Sequence, residues 1–306
     1  MVSHKVVALT GATGFVGRAV IQELLAKDYL IKALVRPGSA SKTIQHDKIN
    51  WIEGRLDNPV SEMSLCSGAD TVIHMAGLVT ARTKAEYYKI NADAVGTLVQ
   101  TAANAKVKRF VYLSSLAAQQ AELSDYAGSK RAGEGQLARK LGKMKGVVVR
   151  APAVFGAEDK ATAPFYGMIK KGFLPAPGGK NWRMRKIGLV HVDDLANFLT
   201  NVCLDGTCDG RTVSVATRAS LTWPEFAAEC SEALEAKVRV FPLPLSVLYP
   251  IAAVNSVTKR VFGKGHLTLG KLNEFLYEDW SVAAENETQT LLQSALKQTI
   301  LPDYHK

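Results

Sequence analysis

The sequence predicts an α/β fold built on a doubly wound parallel sheet, with a smaller C-terminal lobe. Two observations carry this expectation. Short apolar runs recur through the first half: KVVALT (5–10), YLIKALVR (29–36), DTVIHMAG (70–77), RFVYLSS (109–115) and GVVVRAP (146–152). Strands apolar on both faces belong to parallel sheets buried between layers. The runs are separated by segments with apolar residues at helical spacing, at 15–28, about 84–105 and about 126–144. Strands alternating with helices place the sheet between helical layers.

INWIEGRL (49–56) reads as one more strand of the same series. After residue 156 the pattern loosens, punctuated by Pro164, Pro175, Pro177 and a GGK turn. IGLVHVDDLANFLTNVC (187–203) reads as a strand and helix returning to the sheet, and RTVSVA (211–216) as a short strand. In TWPEFAAECSEALEA (222–236), Thr222 is placed to cap a helix. The expected division is therefore 1–155, with 186–203 crossing back to it, and a smaller lobe over 156–306.

Composition narrows the function classes. The chain has 306 residues, 47% hydrophobic and 22% charged, enough to bury a full core. Its net charge of +10 comes from scattered residues with no basic block, so no nucleic-acid partner is expected. Cys66, Cys203, Cys208 and Cys230 form no CxxC pair, which argues against a metal site or a disulfide framework and for a reducing compartment. A strand-like run starts within a few residues of Met1, so no signal peptide is expected and the location is read as cytoplasmic.

The run VFPLPLSVLYPIAAVNSVT (240–258) carries no charge, but Pro242, Pro244 and Pro250 would break a membrane-spanning helix. It reads as a capped, buried or interfacial segment. Lys259, Arg260, Lys264 and Lys271 follow it, so peripheral contact with an anionic membrane surface through 240–271 is one expectation.

The chemistry begins at LTGATGFVG (9–17), where Gly11, Gly14 and Gly17 stand between the first strand and the first helix. Gly11 permits a tight turn, Gly14 lets the backbone approach a phosphate, and Gly17 allows close helix–strand packing. With the dipole of the following helix, this arrangement suits a dinucleotide pyrophosphate. An NAD-preferring site places a carboxylate at the end of the second strand, to accept from the ribose 2′-hydroxyl. Here Arg36 stands there, with Ser39 and Lys42 behind it. A guanidinium suits a 2′-phosphate, so NADP is the expected cofactor and NAD the alternative.

In DYAGSKRAGE (125–134), Tyr126 and Lys130 are four apart and share one helix face. A nearby ammonium stabilises a phenolate, which lets the phenol exchange a proton with a carbonyl or hydroxyl oxygen. Ser114 and Ser115 end the preceding strand. Strand ends line the ligand crevice of such sheets, and Ser115 is placed to bond the substrate oxygen, with Ser114 as a structural hydroxyl.

The glycine motif, FVYLSS, YAGSK, VVRAPAVFG and LVHVDDLA occur in an order that resembles the extended short-chain dehydrogenase/reductases, the NAD(P)-dependent epimerase/dehydratase superfamily. That resemblance runs from about residue 5 to 200 and more loosely beyond. It implies a Rossmann-type fold and a Ser115–Tyr126–Lys130 triad, with Lys130 also bonding the nicotinamide ribose. It further implies pyrophosphate contacts from Phe15 and Val16, cofactor contacts from Leu56 and Ala76 on the adenine side, and from Pro152 and Val154 at the nicotinamide. Asn91, His191, Asp193 and Asp194 match positions that are structural in the family. Members are often dimers through two long helices flanking the sheet.

Departures from the family pattern refine the reading. Arg55 stands where an aspartate often receives the adenine amino group, with Asp57 as its candidate replacement. Val79 stands where many sugar-nucleotide epimerases carry a lysine, and the gap from Ser115 to Tyr126 is short. With Arg36, these features favour the branch that resembles dihydroflavonol reductase and 3β-hydroxysteroid dehydrogenase. The leading reading is an NADP-dependent oxidoreductase interconverting a small-molecule ketone and a secondary alcohol. A second is a sugar-nucleotide epimerase or dehydratase, supported by Arg183 and Arg185 in GGKNWRMRK (178–186). The third is a non-catalytic NADP(H)-binding assembly or sensor protein.

Overall fold

A computed structural model describes residues 5–159, 162–263, 265 and 267–301. In chain order the first elements are β1 (Val6–Thr10), α1 (Phe15–Ala26), β2 (Leu30–Val35), β3 (Ile49–Glu53), α2 (Pro59–Cys66) and β4 (Thr71–His74). They are followed by α3 (Lys84–Tyr88), α4 (Ala94–Asn104), β5 (Arg109–Ser115), α5 (Asp125–Lys140) and β6 (Lys145–Ala151). Next come β7 (Ala153–Phe155), α6 (Ala163–Lys170), β8 (Phe173–Pro177), β9 (Lys186–His191), α7 (Val192–Asp205) and β10 (Thr212–Val213). The last are β11 (Arg218–Thr222), α8 (Trp223–Leu234), β12 (Arg239–Leu243), α9 (Leu245–Phe262), α10 (Leu269–Leu276), β13 (Asp279–Trp280) and α11 (Leu292–Ile300).

The chain divides into two units, one of 1–150 with 195–213 and one of 151–194 with 214–306. The first unit holds a parallel seven-stranded sheet in the order β10-β6-β5-β4-β1-β2-β3. The chain starts at β1, winds outward to β3, then crosses to β4 on the other side of β1. The switch point therefore lies between the carboxyl ends of β1 and β4, where sheets of this class bind ligands. Helix α1 forms because Val20, Ile21 and Leu24 give it one apolar stripe, and that stripe is buried. Across the sheet, Val95, Leu98, Val99 and Leu137 pack with Phe110, Tyr112 and Val72. Both sheet faces are thus covered, as the apolar strands require.

The first unit is completed by a late segment. Lys27 Nζ, near the end of α1, donates to Asn197 Oδ1, Thr200 Oγ1 and Asn201 Oδ1 of α7 at 3.0, 2.8 and 3.0 Å. Arg109, at the start of β5, forms a two-pronged pair with Asp209.

The second unit has a sheet in which β9 pairs with β11, β13 and β7, plus a two-stranded ribbon of β8 and β12. Its core gathers Phe155, Ile169, Leu174, Trp223, Phe226, Leu292 and Leu296. Helix α8 starts at a full capping box between Thr222 and Glu225, with Pro224 in its first turn.

The structure departs from the sequence expectation at three places. The strand at 187–191 does not join the main sheet. It sits in the second unit, and the chain re-enters the first only at Leu195. A strand buried on both faces is satisfied equally by either sheet, so its pattern does not choose. Helix α2 was not anticipated, although Asn58 accepts from Ser61 N as its cap and Pro59 opens it. Pro250 lies inside α9 without ending it; Ser246, whose carbonyl loses its donor and is crowded by the ring, is exposed to water. Among the described residues no helix is long and apolar enough to cross a membrane.

Candidate active site

The glycine turn is shaped by contact as well as by φ. Gly11 has φ +74°, and a Cβ there would meet Ala76 N at 2.8 Å. A Cβ on Gly17 would lie 2.2 Å from Gly11 O. Gly14 N donates to that same carbonyl at 3.0 Å, which closes the turn. Gly14 is exposed and is the N-cap of α1, with no side-chain cap and no acidic residue in the first turn. Helices α2, α3, α5, α8 and α10 begin at a capping Asn, Ser or Thr, whereas α4, α6, α9 and α11, like α1, have no side-chain cap. The uncapped N–H groups of Phe15, Val16 and Gly17 suit an anion, so the turn fits a dinucleotide pyrophosphate.

Arg36 is exposed immediately after β2, in a turn closed by Ser39 N donating to Arg36 O at 3.0 Å. Leu56 is half-buried and packs on the core beside Ile52. Asp57, the candidate adenine partner, takes φ +69°. Its N–H donates to Glu62 and its carboxylate pairs with Lys89 at 3.2 Å. The fully buried Glu62 also accepts from Thr97 and Thr101 at 3.0 Å each, so this corner is pinned to α4. Ala76 is half-buried just past β4, with its N–H on Thr10 Oγ1 at 3.3 Å. Pro152 is buried and Val154 half-buried in the second unit, where Val154 pairs with Val190.

Ser115, Tyr126 and Lys130 come from the end of β5 and the first turns of α5. Ser124 caps α5 by accepting from Ala127 N at 2.9 Å, which fixes where the helix begins and hence where Tyr126 stands. Lys130 is only 5% exposed. Its Nζ donates to Leu113 O at 2.8 Å and lies 4.4 Å from the centre of the Tyr112 ring. Both partners are on β5, two and three residues before Ser115. Burial lowers the Lys130 ammonium to about 7, against an upward pull from Glu134.

The two serines have different partners. Ser114 Oγ donates to Glu134 Oε1 at 2.7 Å. Ser115 Oγ accepts from Ala117 N at 3.2 Å, which leaves its proton for donation. Tyr126 is half-buried, its ring centre 6.3 Å from that of Tyr87.

A supporting layer lies beneath these groups, and the motif reading missed most of it. Glu134 is one helical repeat past Lys130 and accepts both prongs of Arg150, at 2.9 and 2.6 Å. The spacing 126, 130, 134 was the available signal. His74, at the end of β4, is fully buried, with its Nδ1 2.7 Å from Thr10 Oγ1 and its ring 5.6 Å from that of Tyr112. Burial and then the charge of Lys130 push it down to about 3, so it is neutral. Among the described residues its Nε2 has no partner. Asn91 lies in a π-helical turn over Lys89–Asp93. Its amide accepts from Leu78 N and donates to Leu78 O and Ser129 Oγ, at 2.8, 2.9 and 3.0 Å. That clasp ties the chain after β4 to α5, a structural role.

In the second unit Asp194 gathers the hydroxyls of Thr217, Thr288 and Thr290. His191 is buried against Phe155 and held below its ordinary value by desolvation. Arg185 gives its donors to the carbonyls of Pro177, Gly178 and Lys180, and Arg183 stacks over Trp182 at 4.5 Å. The thiols of Cys66 and Cys230 are buried, which pushes each up to about 12. The side chain of Cys203 lies outside the described residues.

Comparison with known proteins places this geometry in a family. The model of the NAD dependent epimerase/dehydratase family matches residues 7–207. The chain is 32% identical over 283 residues to a ceramide reductase of Caulobacter vibrioides, covering 90% of this chain and 86% of that one. It is 26% identical over 275 residues to a UDP-glucose 4-epimerase of Vibrio cholerae, covering 79% of each. The solved structure of gox2253 shares the fold at a TM-score of 0.74 and 21% identity, covering 97% of each chain. The chain is an NAD(P)-dependent enzyme of the NAD dependent epimerase/dehydratase family, within the extended short-chain dehydrogenases/reductases.

Proposed function

We propose that the protein is an NADP-dependent oxidoreductase that interconverts a hydrophobic ketone and its secondary alcohol at Ser115, Tyr126 and Lys130. The observation that carries this reading is Lys130, buried beside Tyr126 on α5 and anchored to the Leu113 carbonyl of the strand that ends at Ser115. In the reducing direction, bound NADPH supplies a hydride to the carbonyl carbon. Ser115 donates a hydrogen bond to the carbonyl oxygen and orients it. Tyr126 gives its phenolic proton to that oxygen, which completes the alcohol and leaves a phenolate. The Lys130 ammonium stabilises the phenolate, and a proton from water restores the phenol. Arg36 is the group that selects the 2′-phosphate of NADP.

Three features support a reductase over an epimerase. Arg36 replaces the carboxylate of NAD-type sites, Val79 is apolar, and the donors of Arg185 are already committed to backbone carbonyls. The reductase named among the relatives directs attention to lipid-like ketones as the substrate class. The test is a fluorescence titration with NADPH and NADH for wild type and Arg36→Ala, followed by a screen of long-chain ketones with NADPH. The expected result is tighter NADPH binding that falls to the NADH level in the variant. Equal binding of both cofactors, or NAD that survives purification, would overturn the cofactor assignment and bring the epimerase forward.

A further inference from the structure

We propose that the outer face of α9 lies in the headgroup region of an anionic bilayer, so that the enzyme works as a peripheral membrane protein. The inference rests on α9 and its flanks and stands apart from the ketone-reductase reading. An ordinary surface helix has one apolar face, turned inward. Helix α9 has two. Leu248 and Ala252 point into a small core with Leu272, partly shared by Leu243 and Leu245. At helical spacing on the opposite side stand Val247, Ile251, Val254 and Val257, with Val254 61% and Val257 64% exposed. Pro250 lies on that same side and is exposed too. Phe241, on the strand leading into the helix, and Phe173, on its ribbon partner strand, are each 57% exposed as well.

Contiguous exposed apolar residues on a soluble protein mark a contact surface. The charge around them says which kind. From Ala236 to Asn273 the sequence contains no Asp or Glu, against six Lys and Arg. Lys237, Arg239 and Arg260 are exposed; Lys271 is exposed but paired with Glu274 at 2.9 Å, Lys259 turns inward and Lys264 lies outside the described residues. An apolar helix face carried on a stretch of chain with cations and no carboxylate complements a layer that is apolar beneath and negative at its surface. An interface between two copies would bring these like charges together.

The experiment is co-sedimentation of the whole protein with vesicles of phosphatidylcholine alone and of equimolar phosphatidylcholine and phosphatidylglycerol. It compares wild type, Val254→Glu/Val257→Glu, and Arg260→Gln. Wild type should pellet with the anionic vesicles at low salt and release as salt rises. The double variant should lose at least about tenfold in partitioning, and Arg260→Gln about fivefold, on the anionic vesicles only. Unchanged melting and circular dichroism establish that the variants are folded. Should the double variant fail to fold, Arg260→Gln alone decides, because an exposed side chain is replaced. No pelleting of wild type at low salt, or equal pelleting of all three proteins, overturns the proposal. So does a dimer in solution that the double variant dissociates while neither protein binds vesicles; that result gives the face to a second copy.

Discussion

Replacing Lys130 by methionine should remove turnover and, at the same time, make the ligand-free protein more stable. The folded ammonium titrates at about 7, against an ordinary value of 10.5. At about 1.4 kcal/mol per unit, its burial costs about 4–5 kcal/mol at neutral pH and below. Methionine fills a similar volume without that cost, but the Leu113 carbonyl loses its donor and the Tyr112 ring its cation. Those losses offset about 2–3 kcal/mol. The net gain of about 1–3 kcal/mol corresponds to a rise in melting temperature of about 3–8 °C for a unit of this size. The pH dependence is diagnostic. Between about 7 and 10.5 the unfolded chain holds more protons at this residue than the folded one, so wild-type stability rises with pH across that window. The advantage of Lys130→Met should therefore shrink by about 3 kcal/mol between pH 7 and 9.5. Thermal melts of both proteins at the two pH values decide it. A variant that melts lower at pH 7, or a gap that ignores pH, would refute the claim that desolvation governs this site.

Four further outcomes follow from neighbouring groups. Tyr126→Phe should reduce turnover by about 10²–10⁴-fold while leaving NADPH affinity within about twofold, measured by steady-state kinetics and fluorescence titration. Gly17→Ala places a Cβ 2.2 Å from Gly11 O; it should cost about 1–3 kcal/mol in chemical denaturation and abolish NADPH binding. Glu134→Ala leaves Arg150 without its buried partner and should destabilise the protein by about 3–5 kcal/mol in the same assay. His74 titrates at about 3 when folded, against an ordinary 6.5, so the unfolded chain takes up its proton first as pH falls. Wild type should lose about 2–3 kcal/mol more than His74→Phe between pH 7 and 4.5, by denaturant titration.

Much of this arrangement was legible because it depends on short-range pattern. β5 occupies 109–115 as its apolar run indicates, and Thr222 caps α8. The glycine turn and the 126–130 spacing were readable for the same reason: each is a local backbone requirement. What escaped was set by partners far apart in sequence. Glu134 looks like any helical carboxylate until Arg150 is brought 2.6 Å from it by β6. The strand at 187–191 has two sheets it could join, and pairing with β11 decides between them. Arg185 reads as a free cation in a basic turn, yet the turn folds so that its own carbonyls consume the guanidinium.

The late completion of the first unit has a consequence for its synthesis. A ribosome delivers β1 to β6 well before α7 and β10, and during that interval Lys27 lacks Asn197, Thr200 and Asn201, Arg109 lacks Asp209, and β6 presents a bare edge. At about 5–20 residues per second the wait is roughly 3–13 s. Throughout it the nascent chain holds a nearly finished nucleotide-binding sheet with one adhesive side, the state in which strand exchange between neighbouring chains is easiest.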